Sequence, residues 1–263
     1  MNKLDQLFNK KEKDILSIYY TAGFPKLEDT GAILSELEKC GVDLMEIGIP
    51  FSDPVADGPV IQFSNSVSLE NGMTLKFLFD QLKAMNEGHK TPKILMGYLN
   101  PIYQLGIVEF CKKCKETGVD GVIIPDLPLI EYESKYKKVF HDYGIHFIFL
   151  VTPQTSIDRL KQIDELSTSF IYAVSTNSTT GGSSDFSMQN DYFQRLKDHL
   201  KNPFLIGFGV KNKETFQSAC KYADGAIIGS AFIQAITQKE KLEENIQDFI
   251  QGIKYSYDYS IRK

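Results

Sequence analysis

The chain has 263 residues, 42% hydrophobic and 24% charged, with a net charge of −5. These values suit a globular protein, supply no basic footprint for nucleic acid, and leave room for one large α/β domain or two small ones. No apolar run is long enough for a bilayer, and the polar, lysine-rich start at 1–13 has no apolar signal core, so no membrane partner and a cytoplasmic location are expected.

Apolar strand-like runs alternate with helical patterns throughout. A first strand at 15–21 precedes an amphipathic helix over 26–39, which Cys40-Gly41 stops, and a second strand follows at 42–48. Helices at 61–70 and 74–87 are broken by Asn71-Gly72; a third strand at 93–98 leads into a helix at 102–116 closed by Thr117-Gly118. Strands at 121–124 and 145–151 flank a helix at 129–143, and a helix at 156–166 leads to the sixth strand at 170–174. A long polar loop through Asp185 precedes a helix at 191–200. The seventh strand at 204–208, a helix at 213–222, the eighth strand at 225–228 and helix to about Tyr255 complete the chain. Continuous apolar strands of this kind belong to a parallel sheet buried on both faces, and eight strand–helix units fit a closed (β/α)8 TIM barrel better than an open sheet. No linker divides the chain, so 1–263 reads as a single barrel domain, with an extra N-terminal helix at 1–10 capping its floor.

The stretch Met45 to Gly58, M-E-I-G-I-P-F-S-D-P-V-A-D-G, passes from the second strand into a loop that Pro50, Pro54 and Pro59 keep irregular. Glu46 is the one carboxylate in the strand part of that stretch, and Asp53 and Asp57 follow in the loop. An apolar setting disfavours the charged form of Glu46 and raises its pKa, whereas Asp57 in a wetter loop stays ionised more easily. Two carboxylates pushed apart in this way make an acid/base pair. The alternative is a buried Glu satisfied by a structural partner, with turn-forming Asp residues. At the same barrel mouth the topology places Tyr98 and Asn100 after strand three, Asp126 after strand four and Tyr172 in strand six. Tyr172 could equally be a core aromatic, and Asn100 a turn residue before Pro101.

Gly207-Phe-Gly209 follows the seventh strand and Gly229-Ser230 the eighth, where loops of this fold commonly hold phosphate on backbone N–H groups; Gly181-Gly182 could close over the same anion. Cys111-Lys-Lys-Cys114 has metal-type spacing but reads as helix interior without a second ligand pair, and His89, His141, His146 and His199 sit in no motif, so no metal is expected. Asn177-Ser-Thr179 matches a glycosylation acceptor and means nothing without a secretory signal. The chain also lacks a nucleotide fingerprint and a lysine at an obvious strand end. Proton-transfer chemistry on a small phosphorylated substrate suits this combination.

The run Glu46-Ile-Gly-Ile-Pro-Phe-Ser-Asp-Pro-Val-Ala-Asp-Gly58 resembles the signature of the tryptophan synthase α-chain family. Thr21-Ala-Gly-Phe-Pro25, Gly58-Pro-Val-Ile-Gln62, Leu95-Met-Gly-Tyr-Leu-Asn-Pro-Ile102, Asp120-Gly-Val-Ile-Ile-Pro-Asp-Leu-Pro128, Gly207-Phe-Gly209 and Gly229-Ser230 extend the likeness over nearly the whole chain. The resemblance implies cleavage of indole-3-glycerol phosphate to indole and glyceraldehyde 3-phosphate, the last stage of tryptophan biosynthesis. It implies an α2β2 heterotetramer with a β chain, pyridoxal phosphate residing in that partner and no cofactor in this chain. Glu46 then becomes the general acid/base and Asp57 the partner of the indole N–H. Tyr172 flanks Glu46, and Thr180 offers a hydroxyl to Asp57. Gly181, Gly209, Gly229 and Ser230 hold the phosphate, and Asp53 contacts the β chain. The loop at 175–181 departs from the family pattern: Ser178 replaces a glycine and Thr176 stands where some members have arginine, which bears on loop closure. A ribulose-phosphate epimerase or indole-glycerol-phosphate synthase would need metal-ligand histidines or a catalytic lysine at strand ends. A non-catalytic regulatory subunit would be expected to have lost Glu46 or Asp57.

Overall fold

The computed structural model describes residues 2–85, 88–175, 186–238 and 240–255. Burial on both faces accounts for the unbroken apolar character of β1 (Ile15–Thr21) and β2 (Leu44–Gly48), in which every residue is buried. Around them run β3 (Lys93–Met96), β4 (Gly121–Ile123), β5 (His146–Phe147), β6 (Leu150–Val151), β7 (Ile171–Val174), β8 (Phe204–Gly207) and β9 (Gly225–Ile228). Every pairing is parallel, and the lateral order is β5-β4-β3-β2-β1-β9-β8-β7-β6.

The two outermost segments of that order are consecutive in sequence. Between them the Ile148 N–H donates to Val122 O on β4 at 2.9 Å, and Phe149 O accepts the Tyr172 N–H of β7 at 2.9 Å. The fifth expected strand, 145–151, is therefore one extended run that turns its hydrogen bonds from β4 to β7 and closes the barrel. Nine segments fill eight strand positions, and β9 is the expected eighth strand.

The helices form the outer layer. Those between β1 and β4 are α2 (Asp29–Lys39), α3 (Pro59–Glu70), α4 (Leu75–Ala84), α5 (Leu99–Leu105) and α6 (Ile107–Glu116). Gly41, at φ 72°, ends α2 as expected. The single helix expected over 102–116 is instead α5 and α6, because Gly106 adopts φ 90°, outside the helical region. The expected helix at 129–143 contains α7 (Leu129–Glu131), one π-helical turn at Tyr132–Tyr136 and α8 (Lys137–Tyr143). Then come α9 (Ile157–Leu166), with Ser156 accepting the Arg159 N–H as its cap, α10 (Asn190–His199) and α11 (Lys213–Cys220). The expected final helix divides into α12 (Ser230–Ala235) and α13 (Leu242–Lys254). The loop expected after β7, 176–185, lies outside the described residues, as does the end of the helix expected at 74–87.

The expected N-terminal helix is α1 (Lys3–Lys10), and it packs on the floor. Asn2 donates to Asp120 O at 2.8 Å and to Gly144 O at 2.9 Å, and the Lys3 N–H reaches Asp120 Oδ1 at 3.2 Å. Leu4 is fully buried, and Phe8 stacks on Phe170 with ring centroids 5.5 Å apart. Among the described residues no helix is long and apolar enough to cross a membrane.

Candidate active site

Glu46 is the anomaly of β2. It is 1% exposed, and among the described residues neither carboxylate oxygen has a hydrogen-bond partner. Burial pushes its pKa up to about 8, with the nearby charge of Asp57 adding to the effect. A structural ion-paired or hydrogen-bonded Glu would show the opposite pattern. Glu46 instead faces a pocket with about 400 Å³ of empty space, part of it open to solvent.

Two tyrosines stand beside it. Tyr19 of β1 is in register with Glu46, and Tyr172 belongs to β7. Each ring lies over a glycine: a β-carbon on Gly48 would fall 2.2 Å from the Tyr19 hydroxyl oxygen, and one on Gly207 2.0 Å from that of Tyr172. Burial raises both phenol pKa values, so these hydroxyls keep their protons. Ile61, Met96, Phe208 and Ile227 supply the apolar wall. Phe208 meets the Tyr172 ring edge-on at 6.3 Å.

Asp57 also lines the pocket, from the loop between β2 and α3. Pro59 opens α3 at a position where its missing N–H costs nothing. The Asp57 N–H donates to Pro54 O at 3.0 Å, and the Gln62 side chain donates to Asp57 O at 2.8 Å. Tyr98 donates to Asp57 Oδ2 at 3.2 Å. Asp57 is less exposed than a loop position suggested. Burial raises its pKa, while the Tyr98 hydrogen bond acts in the opposite direction. The two carboxylates are thus both raised, with Glu46 buried more deeply.

At the far side, Gly229 and Ser230 line the same pocket. The Tyr19 ring lies 3.4 Å from where a Gly229 β-carbon would sit. Phe208 and Gly209 both take positive φ, 68° and 75°, and the Ser175 hydroxyl donates to Phe208 O at 2.8 Å. Gly209 is the residue after the lining Phe208 and does not itself form the wall. Thr180 and Gly181 lie outside the described residues. Asp53 is exposed in the loop, where it accepts from the Ser52 hydroxyl, away from the pocket wall.

Asp126 accepts the Leu99 N–H at 2.8 Å and so anchors the start of α5, while Asn100 meets the Gln104 side chain at 3.4 Å. Both share the mouth's end of the barrel without lining the pocket. Cys111 and Cys114 are fully buried, and no group of three or more metal-ligating side chains occurs among the described residues. His146 lies on the floor, 2.9 Å from Asp5, and His89 pairs with Glu38. The sequence reading passed over Tyr19, Ile61, Met96, Phe208 and Ile227. Strand alternation outward from Glu46, paired with the register of β1, is the signal that reaches Tyr19.

Comparison with known proteins agrees with this geometry. The family model described as "Tryptophan synthase alpha chain" matches residues 5–257. The tryptophan synthase alpha chain of Flavobacterium psychrophilum is 55% identical over 240 residues, covering 90% of this chain and 94% of that relative. Among solved structures, tryptophan synthase subunit alpha from Legionella pneumophila str. Paris superposes with TM-score 0.89 at 34% identity, over 96% of this chain and 97% of that one. A chain of the tryptophan synthase complex from Pyrococcus furiosus gives TM-score 0.83 at 35% identity, over 92% and 98% of the two chains. A barrel with a buried Glu46 sharing its pocket with Asp57, matched over nearly its whole length, belongs to the tryptophan synthase alpha chain family.

Proposed function

We propose that this chain cleaves indole-3-glycerol phosphate through Glu46 and Asp57. The observation that carries the reading is Glu46, buried and, among the described residues, without a hydrogen-bond partner at a pocket it shares with Asp57. A carboxyl held near neutrality can both give and take a proton.

In the first step the protonated Glu46 delivers its proton to C3 of the indole ring. The ring nitrogen becomes cationic, and the Asp57 carboxylate, accepting the N–H, stabilises that charge. The Glu46 carboxylate then removes the proton of the hydroxyl on the carbon attached to C3. The oxygen's electrons form the aldehyde carbonyl, the carbon–carbon bond breaks, and its electron pair returns to the ring. Indole and glyceraldehyde 3-phosphate result, and Glu46 is protonated again. Tyr172 bounds the ring beside Glu46. Gly181, Gly209, Gly229 and Ser230 hold the substrate's phosphate on backbone N–H groups, and Thr180 offers a hydroxyl to Asp57. Asp53, at the exposed loop, meets a β chain that receives the indole. The scheme uses only this chain's own side-chain and backbone groups and needs no cofactor of its own; pyridoxal phosphate belongs to the β partner. A single domain over 1–263, working in the cytoplasm, completes the reading.

The test is indole formation from indole-3-glycerol phosphate, with and without a tryptophan synthase β chain. Slow turnover that rises strongly with the β chain is expected. Fast turnover alone would make the chain a free-standing indole producer, and none in either case would overturn the lyase reading.

A further inference from the structure

Tyr98 follows β3, is 8% exposed, and works on both ends of the loop that carries Asp57. Its hydroxyl accepts the Ala56 N–H at 3.0 Å and donates to Asp57 Oδ2 at 3.2 Å. Its ring stacks on Phe51, with centroids 5.0 Å apart and 25° between planes. Phe51 opens the segment between β2 and α3, and Ala56 and Asp57 close it, so one side chain holds both ends. Between them Val55 is 88% exposed, which leaves the tip little packing of its own.

The backbone of Asp57 is fixed by Pro54 O and by the Gln62 side chain, neither of which restrains the carboxylate. The terminal torsion of an Asp is broad and nearly two-fold. Among the described residues only the Tyr98 hydroxyl hydrogen-bonds to the carboxylate of Asp57, and it takes Oδ2.

We propose that Tyr98 is a positioning residue for the cleavage reaction: its hydroxyl pins Asp57 by Oδ2 and leaves Oδ1 presented to the N–H of the substrate's ring. The inference deepens the reading of Asp57 given above and rests on it. Donation to the charged carboxylate also favours the ionised form against the burial that raises it. The titratable groups facing Asp57 are Glu46, Tyr19 and Tyr172 from the barrel interior, and Asp126 faces Tyr98 from the loop after β4.

The experiment is Tyr98→Phe, assayed with the β chain beside wild type, Asp57→Asn and the double variant. Phenylalanine keeps the stack on Phe51 and removes both hydrogen bonds. The expected result is a loss of about 10-fold in kcat with KM changed less than about twofold, as for an interaction that orients a reacting group. The acid limb of the kcat profile should move to higher pH, because Asp57 loses the donor that favours its ionised form. The double variant should be no slower than Asp57→Asn, since Tyr98 acts through Asp57. Wild-type kcat and pH profile in Tyr98→Phe would overturn the proposal, as would a loss that multiplies fully onto Asp57→Asn. A wild-type complex that makes no indole would overturn the lyase reading, and the proposal with it.

Discussion

The hydroxyl oxygen of Tyr172 lies 2.0 Å from where a β-carbon on Gly207 would stand, so β8 gives up a side chain to make room for a ring from β7. Tyr19 and Gly48 repeat the relationship on the other flank of Glu46, at 2.2 Å. Gly207→Ala should therefore force the Tyr172 ring to turn out of its place. An activity loss of about 10-fold or more is expected, with far-UV circular dichroism unchanged, since overpacking at a glycine costs about 1–3 kcal/mol. Wild-type activity in this variant would show that the ring's position does not matter to turnover.

Glu46→Gln should remove proton transfer while leaving the pocket's shape intact. The expected loss in kcat is about 10²–10⁴-fold, with binding of a substrate analogue retained. The same variant reports on linkage. The folded pKa of Glu46, about 8, is above its ordinary value of 4.5, so the folded state holds the extra proton between those pH values. Stability from this group is present at low pH and falls as pH rises through that window, by several kcal/mol at most. The Tm of Glu46→Gln relative to wild type should accordingly be higher at pH 9 than at pH 5.

Gly209→Asp places a side chain and a negative charge where the φ of 75° already favours glycine. A KM rise of at least about 10-fold is expected from charge repulsion at an anion site. Unchanged KM would move the phosphate elsewhere.

Asp120 belongs to the opposite end of the barrel. It accepts the N–H groups of Lys3 at 3.2 Å and of Lys93 at 3.1 Å, with only 7% of its surface exposed. Asp120→Ala takes an acceptor from both and should cost about 2–4 kcal/mol, read as a fall in the urea midpoint. Turnover of the folded variant should stay within about twofold of wild type, since the floor of this fold carries stability and the mouth carries chemistry.

The alternation of apolar strands and amphipathic helices was enough to count the barrel, because strands buried on both faces must be continuously apolar. It also isolated Glu46, the one charge in β2, since its cost in that setting is independent of register. Closure through 145–151 was visible only as an apolar run; how Ile148 and Phe149 divide their bonds between β4 and β7 depends on barrel geometry. The break at Gly106 was hidden by apolar spacing that continues across it, although a glycine can leave the helical region at little cost.

Local chemistry in the sequence thus determined the barrel, the odd carboxylate and the irregular loop after it. Only the tertiary structure decided that Tyr19 and Tyr172 cross over Gly48 and Gly207, that Asp57 is partly buried, and that Tyr98 reaches its carboxylate from the next strand's end. The physical reason is range. Burial and backbone preference act on residues near in sequence, whereas these contacts join positions far apart in the chain: 29 for Tyr19 and Gly48, 35 for Tyr172 and Gly207, and 41 for Tyr98 and Asp57.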